Sequence, residues 1–100
     1  MPNKNYDDFL DELLKDPENA ADYLNTAFES GSTEEFLLAL RNVARSHGGP
    51  GELAQTTKLN RQSMYKMLSE NGNPTLESLR VLLKAMGIRL TFSPFQKKAA

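Results

Sequence analysis

The chain has 100 residues, of which 39% are apolar and 25% are charged, so we expect one globular domain with a modest hydrophobic core. It contains no cysteine, which excludes disulfide bonds and thiol catalysis and favours a reducing compartment. The first residues lack the order of a signal peptide, and no apolar run is long enough to span a membrane. We therefore expect a soluble, cytoplasmic protein.

The net charge of −1 conceals a division along the chain. Residues 1–40 contain ten acidic and two basic residues, a net charge of −8, whereas residues 41–100 contain ten basic and three acidic residues, a net charge of +7. Charges can simply keep a small protein soluble. Opposite signs of this size instead indicate two different binding partners.

Apolar residues at helical spacing predict three helices in the first half of the chain. The first spans about residues 6–15. The second begins at residues 16–17, an aspartate N-cap followed by proline, and stops at Gly31. Segment Ser32–Glu35 fits a capping box that opens the third helix. Residues 48–51 end it, because three glycines and a proline do not propagate a helix.

Beyond this break the pattern predicts a short helix over residues 51–57, a turn at 58–59 and a helix over 60–69 with Asn60 as its N-cap. Thr75 then caps a last helix that Gly87 ends.

Residues 88–92 alternate apolar and polar side chains, which predicts a half-buried β-strand. Every other predicted element is helical, so this strand would have no partner in its own chain. We expect it to pair with the same strand of a second copy, with Ile88, Leu90 and Phe92 as dimerisation residues. An irregular tail that covers the last helix is the alternative.

Residues 51–69 have the pattern of a helix-turn-helix. Leu53 and Ala54 give the small apolar contact between the helices, and Leu59 fills the turn. Lys58 lies in the turn where glycine is usual, because the backbone there tends toward positive φ, at a cost of about 1 kcal/mol for other residues.

The polar residues of this segment are the types that read bases or hold phosphates in DNA. The predicted DNA-binding residues are Gln55, Asn60, Arg61, Gln62, Ser63, Tyr65 and Lys66. An ordinary solvated helix face is the alternative interpretation.

The stretch 39–92 closely resembles the addiction-module antidote proteins, which are small helix-turn-helix antitoxins of the repressor-like class. Its most specific parts are "LNRQSMYKMLS" (59–69) and "GNPTL" (72–76), and residues 16–40 are similar to the family's upstream helices. The resemblance implies a homodimer that represses its own operon and binds a small toxin similar to RelE-type ribosome-dependent ribonucleases. Such toxins bind RNA and are expected to be basic, so the acidic N-terminal helices would suit them. The alternatives are that these helices are only a solvated face that caps the core, or that the C-terminal part of the chain binds the toxin.

We do not expect an enzyme. The only histidine, His47, lies at a predicted helix end, where the helix dipole favours cations and a structural role is expected. The pairs Asp7/Asp11 and Asp8/Glu12 lie one turn apart and could in principle bind a metal, but such pairs are common on exposed helices. No catalytic motif, metal site or cofactor is predicted.

The sequence thus predicts an all-α fold, a small helical bundle with a repressor-like helix-turn-helix and a short C-terminal β-strand. One domain, 1–100, would contain acidic N-terminal helices (6–31), a DNA-binding core (32–87), a dimerisation strand (88–92) and a tail (93–100). We expect an antitoxin that binds operator DNA and a cognate basic toxin. The alternative is a stand-alone transcriptional repressor without a toxin partner.

Overall fold

A computed structural model of the chain describes residues 4–95, which contain six α-helices. They are α1 (Lys4–Leu14), α2 (Pro17–Glu29), α3 (Thr33–Ser46), α4 (Gly49–Thr57), α5 (Arg61–Met67) and α6 (Leu76–Ala85). Among these helices, none is both long enough and apolar enough to cross a membrane. The helical bundle of the sequence prediction is confirmed.

The helices begin where side chains can satisfy their first backbone N–H groups. Four N-cap oxygens each accept a hydrogen bond from a backbone N–H two or three residues ahead, at 2.9–3.1 Å. The four N-cap residues are Asp16, Ser32, Asn60 and Thr75. The sequence predicted all four of these starts, because a short polar side chain before an apolar period is a local signal.

Helix α4 begins earlier than predicted. Its first residues are Gly49 and Pro50, and its N-cap Gly48 has a left-handed backbone with φ 101° and no side-chain cap. Gly48 reverses the chain after α3, and Pro50 fits the first turn because a helix does not need that N–H. Residues 47–48 therefore separate the two helices, and Gly49 and Pro50 form the start of α4.

The core consists of buried apolar side chains from all six helices and their caps. They are Leu10, Leu14, Ala20, Leu24, Ala39, Leu40, Val43, Ala44, Leu53, Ala54, Met64, Met67, Leu68, Leu82, Leu83 and Met86. Helix α3 contacts α1, α2 and α4, and α4 contacts α5 and α6. In the described part of the chain, helices that contact each other are never more than two apart in chain order.

The predicted β-strand at residues 88–92 is wrong, and the described residues contain no strand. Gly87 (φ 81°) ends α6 in a left-handed conformation, and its N–H donates to the Lys84 carbonyl at 3.0 Å. The Ile88 N–H donates to the Leu83 carbonyl at 2.8 Å, and the Ile88 side chain packs on the core. Together these bonds form a Schellman motif.

The Schellman motif explains the misleading alternation at residues 88–92. The motif places an apolar residue directly after the glycine, so Ile88 belongs to the end of α6 rather than to a strand. Leu90 and Phe92 are exposed. Of the predicted tail, residues 93–95 are irregular and exposed, and residues 96–100 lie outside the described residues.

Candidate nucleic-acid interface

The polar residues of α5 share one exposed side of the helix. Met64 and Met67 are buried on the opposite side and anchor the helix to the core. The exposed residues of this surface, which we call the α5 face, are Asn60, Arg61, Gln62, Ser63, Tyr65 and Lys66. The seventh predicted residue, Gln55, is exposed on α4. The structure thus brings six of the seven predicted residues together on α5 and its N-cap.

The turn between α4 and α5 is fixed by local hydrogen bonds. The Thr57 hydroxyl donates to the Leu53 carbonyl at 2.7 Å and accepts from the Leu59 N–H at 3.2 Å. Lys58 has φ 65°, as the turn prediction required, and the partly buried Leu59 packs on the core. The Asn60 side chain then starts α5 by accepting from the Ser63 N–H at 3.0 Å.

Gly51 of α4 lies beside the side chains of Arg61 and Tyr65 on α5. A methyl group at this position would lie 3.4 Å from the Tyr65 hydroxyl and 3.7 Å from the Arg61 guanidinium. The Arg61 guanidinium in turn lies 5.6 Å from the centre of the Tyr65 ring, a cation–π contact. Arg61 and Tyr65 are therefore held beside each other on the α5 face.

Two residues outside the predicted DNA-binding set support the far end of α5. The Arg41 side chain, from α3, donates to the Ser69 carbonyl at 3.1 Å. Gly72 is buried beneath the end of α5, where an added methyl group would overlap the Met67 carbonyl oxygen. Both contacts depend on how the chain folds back on α5, so the sequence pattern did not predict their structural roles.

The positive charges near the α5 face are available to an anion. Arg61, Lys66 and Lys58 are exposed, and none forms an ion pair with a residue that the structure describes. A basic helix surface of this kind suits the phosphate backbone of DNA.

Two of the other candidate groups, Asp11 and His47, have structural partners. Asp11 accepts from the Arg45 guanidinium at 2.8 Å, which joins α1 to α3. The His47 ring nitrogen Nε2 lies 3.3 Å from the Leu14 carbonyl, at the end of α1. Within residues 4–95, no three His, Cys, Asp or Glu side chains cluster as metal ligands.

Comparison with known proteins identifies the family. A family model described as "Probable addiction module antidote protein" matches residues 4–94. The chain belongs to this antidote family. A relative in Haemophilus influenzae, described as an "Uncharacterized protein", is 31% identical over 78 residues, which cover 78% of this chain and 79% of the relative. No solved structure matches the chain.

Membership of the antidote family confirms the resemblance predicted from residues 59–69 and 72–76. It gives the chain an antitoxin role, and the antidote of an addiction module has a toxin as its partner.

Proposed function

We propose that this antidote represses its own operon by binding operator DNA, with the α4–α5 pair acting as a helix-turn-helix. The observation that carries the proposal is the α5 face, which is polar, basic and exposed on a helix that Met64 and Met67 anchor to the core. Helix-turn-helix proteins place such a helix in the major groove, with its first residues at the base edges.

The positions on α5 suggest a role for each side chain. Arg61 and Gln62 begin the helix and would reach base edges, arginine toward guanine and glutamine toward adenine. Tyr65 and Lys66 lie a turn further along and would hold phosphates. Stacking on Tyr65 limits the freedom of the Arg61 side chain, so less entropy is lost when it binds a base. Gln55, Asn60 and Ser63 would complete the contact.

Replacing Arg61 by alanine tests this function. Arg61→Ala should weaken operator binding by about 1–3 kcal/mol and relax the preference for the operator over scrambled DNA, since a guanine contact is lost. Gel-shift titrations against both DNAs measure the change. Arg89→Ala is the matched control, because Arg89 is also exposed but lines a groove beside Pro17 and Glu18 of α2. If the unaltered protein bound the operator and the scrambled DNA with equal affinity, the proposed operator-binding function would be wrong.

We further propose that the toxin partner is RelE-like and binds the acidic N-terminal helices. Eight of the ten carboxylates in residues 4–40 are exposed, and Asp7 and Asp11 are half-buried. Only Asp11 and Glu12 form ion pairs with residues that the structure describes. The remaining negative charge can attract a basic protein from a distance and cover the charges that such a protein uses on RNA.

A homodimer is the third part of the proposal. One short α5 face makes few contacts with DNA, whereas two faces spaced about 34 Å apart could read a palindrome. The exposed Leu90 and Phe92 are apolar side chains that a second copy could cover. Assignment to the antidote family favours this toxin-linked function over a stand-alone repressor.

A further inference from the structure

A groove of about 450 Å³ runs along the acidic half of the molecule, between α2, α3 and the end of α1. Apolar side chains line it and carboxylates stand beside them. Its lining includes the apolar or aromatic side chains of Leu13, Tyr23, Ala27 and Leu38 and the carboxylates of Asp22 and Glu35. We call this surface the acidic groove.

Hydrogen bonds hold the walls of the acidic groove in place. The Asn19 side chain donates to the Leu13 carbonyl at 3.1 Å, which fixes the end of α1 against α2. The Asn42 side chain, from α3, donates to the Tyr23 hydroxyl at 2.9 Å. Asn42 also accepts from Arg45, whose guanidinium binds Asp11 of α1. Because all three helices are tied together, a partner would meet a preformed surface and little ordering cost.

The acidic groove has unused binding capacity of two kinds. Leu38 is 50% exposed and Leu13 is 39% exposed, so each leucine could bury more apolar surface against a partner. The exposed carboxylates of Asp22 and Glu35 form no ion pair with any residue in the described range. An apolar strip flanked by unpaired negative charges complements an amphipathic segment that carries positive charges along its edges.

We propose that the acidic groove binds a basic amphipathic helix of the toxin, with apolar side chains of that helix seated on Leu13 and Leu38. Lysine or arginine residues of that helix face Asp22 and Glu35. This assignment rests on the proposed toxin-binding function and names its surface. Net charge favours a basic toxin helix over an acidic segment as the occupant of the groove. Residues 1–40 carry a net charge of −8 and would repel another acidic segment.

The roles of Leu13 and Leu38 are tested with the full chain and, as the probe, the product of the adjacent, co-oriented reading frame, which we expect to be a small basic toxin. Leu38→Gln should weaken binding of that protein about tenfold, because glutamine keeps the helix but removes the half-exposed apolar contact. The matched control is Leu76→Gln, since Leu76 is a leucine of α6 that is 64% exposed. Titration calorimetry measures both affinities, and thermal unfolding checks that both variants fold.

The proposed role of the Asp22 and Glu35 carboxylates is tested by measuring association rates with the same protein at low and high salt. The double variant Asp22→Asn/Glu35→Gln should associate several-fold more slowly at low salt, and the difference should shrink as salt screens the charges. Glu70→Gln/Glu77→Gln removes two exposed carboxylates outside the acidic groove and should leave the rate unchanged.

Three outcomes would overturn the proposal, and they are distinguishable. If the unaltered chain does not bind the adjacent-frame protein, the toxin-binding function itself fails. If it binds and Leu38→Gln binds equally well, the toxin docks elsewhere. If Leu38→Gln abolishes self-association while toxin affinity stays the same, the occupant of the acidic groove is a second copy of this chain.

Discussion

At the scale of single residues, the sequence predicted the positive φ and the backbone strain of Lys58. Among the described residues it is the one non-glycine with positive φ, at 65°. It ends α4 and lets α5 begin after two more residues. The prediction succeeded because the turn of such a helix pair requires a left-handed residue at a fixed place, whatever side chain occupies it.

Substituting glycine at position 58 should therefore stabilise the protein. Lys58→Gly relieves about 1 kcal/mol of backbone strain and loses part of that gain to the greater freedom of the unfolded chain, so the free energy of unfolding should rise by up to about 1 kcal/mol. Urea unfolding measures it. Lys66→Gly, inside α5, is the control and should lower the free energy of unfolding by about 1 kcal/mol. If both variants lowered the free energy of unfolding by the same amount, the proposed backbone strain at Lys58 would be contradicted.

At the scale of helices, the bounds of each element could be predicted only where its ends carry a clear sequence signal. The starts marked by a polar capping side chain were predictable, because the signal is local and has one structural meaning. The start of α4 and residues 88–92 were not, because Gly-Pro suits a break or a first turn, and apolar alternation suits a strand or a Schellman end. Tertiary packing determines which alternative forms, and a short stretch of sequence carries no information about that packing.

The same limit applies to the α5 face. Its exposed polar residues follow from the helical period, since Met64 and Met67 had to be buried. Its supports could not be predicted. The bond from Arg41 to the Ser69 carbonyl joins residues 28 positions apart, and the burial of Gly72 depends on the loop returning under α5.

A methyl group at Gly72 should loosen the last turn of α5. In Gly72→Ala the added carbon would overlap the Met67 carbonyl and lie 2.6 Å from the Lys66 carbonyl, and backbone atoms cannot rotate away as a side chain can. We expect the free energy of unfolding to fall by about 2–3 kcal/mol. Gly51→Ala lies in α4, and its methyl group would make ordinary contacts with Tyr65 and Arg61 of α5, so this variant should instead be neutral or stabilise by about 0.5–1 kcal/mol. Thermal melts of the two variants with equal midpoints would refute the close contact at Gly72.

At the scale of the whole molecule, the charge division of the sequence becomes a division between helices. Helices α1 and α2 pack mainly on each other and on α3, while α5 packs mainly on α4. The acidic half is nevertheless part of the common core, because Leu10, Leu14 and Leu24 are buried in it. Deleting residues 1–30 would remove these buried side chains, so point variants are the better probes of toxin binding.

The proposed homodimer is tested at this scale too. Light scattering at micromolar concentration should give a mass about twice the 11.2 kDa of one chain. Leu90→Lys should lower that mass to the monomer value, since it puts a charge into the exposed apolar segment, whereas Leu76→Lys should leave it unchanged. A mass of 11.2 kDa for the unaltered protein would exclude the dimer.

The order in which the helices contact one another has a consequence for folding. Contacting helices are never more than two apart in chain order within the described residues, although single contacts such as Arg45 to Asp11 join more distant positions. Helical bundles are among the folds that form fastest, in microseconds to milliseconds. The chain is also synthesised from its N-terminus, and every residue that lines the acidic groove precedes α4. On the ribosome, the residues of the acidic groove are therefore all present before those of the α5 face.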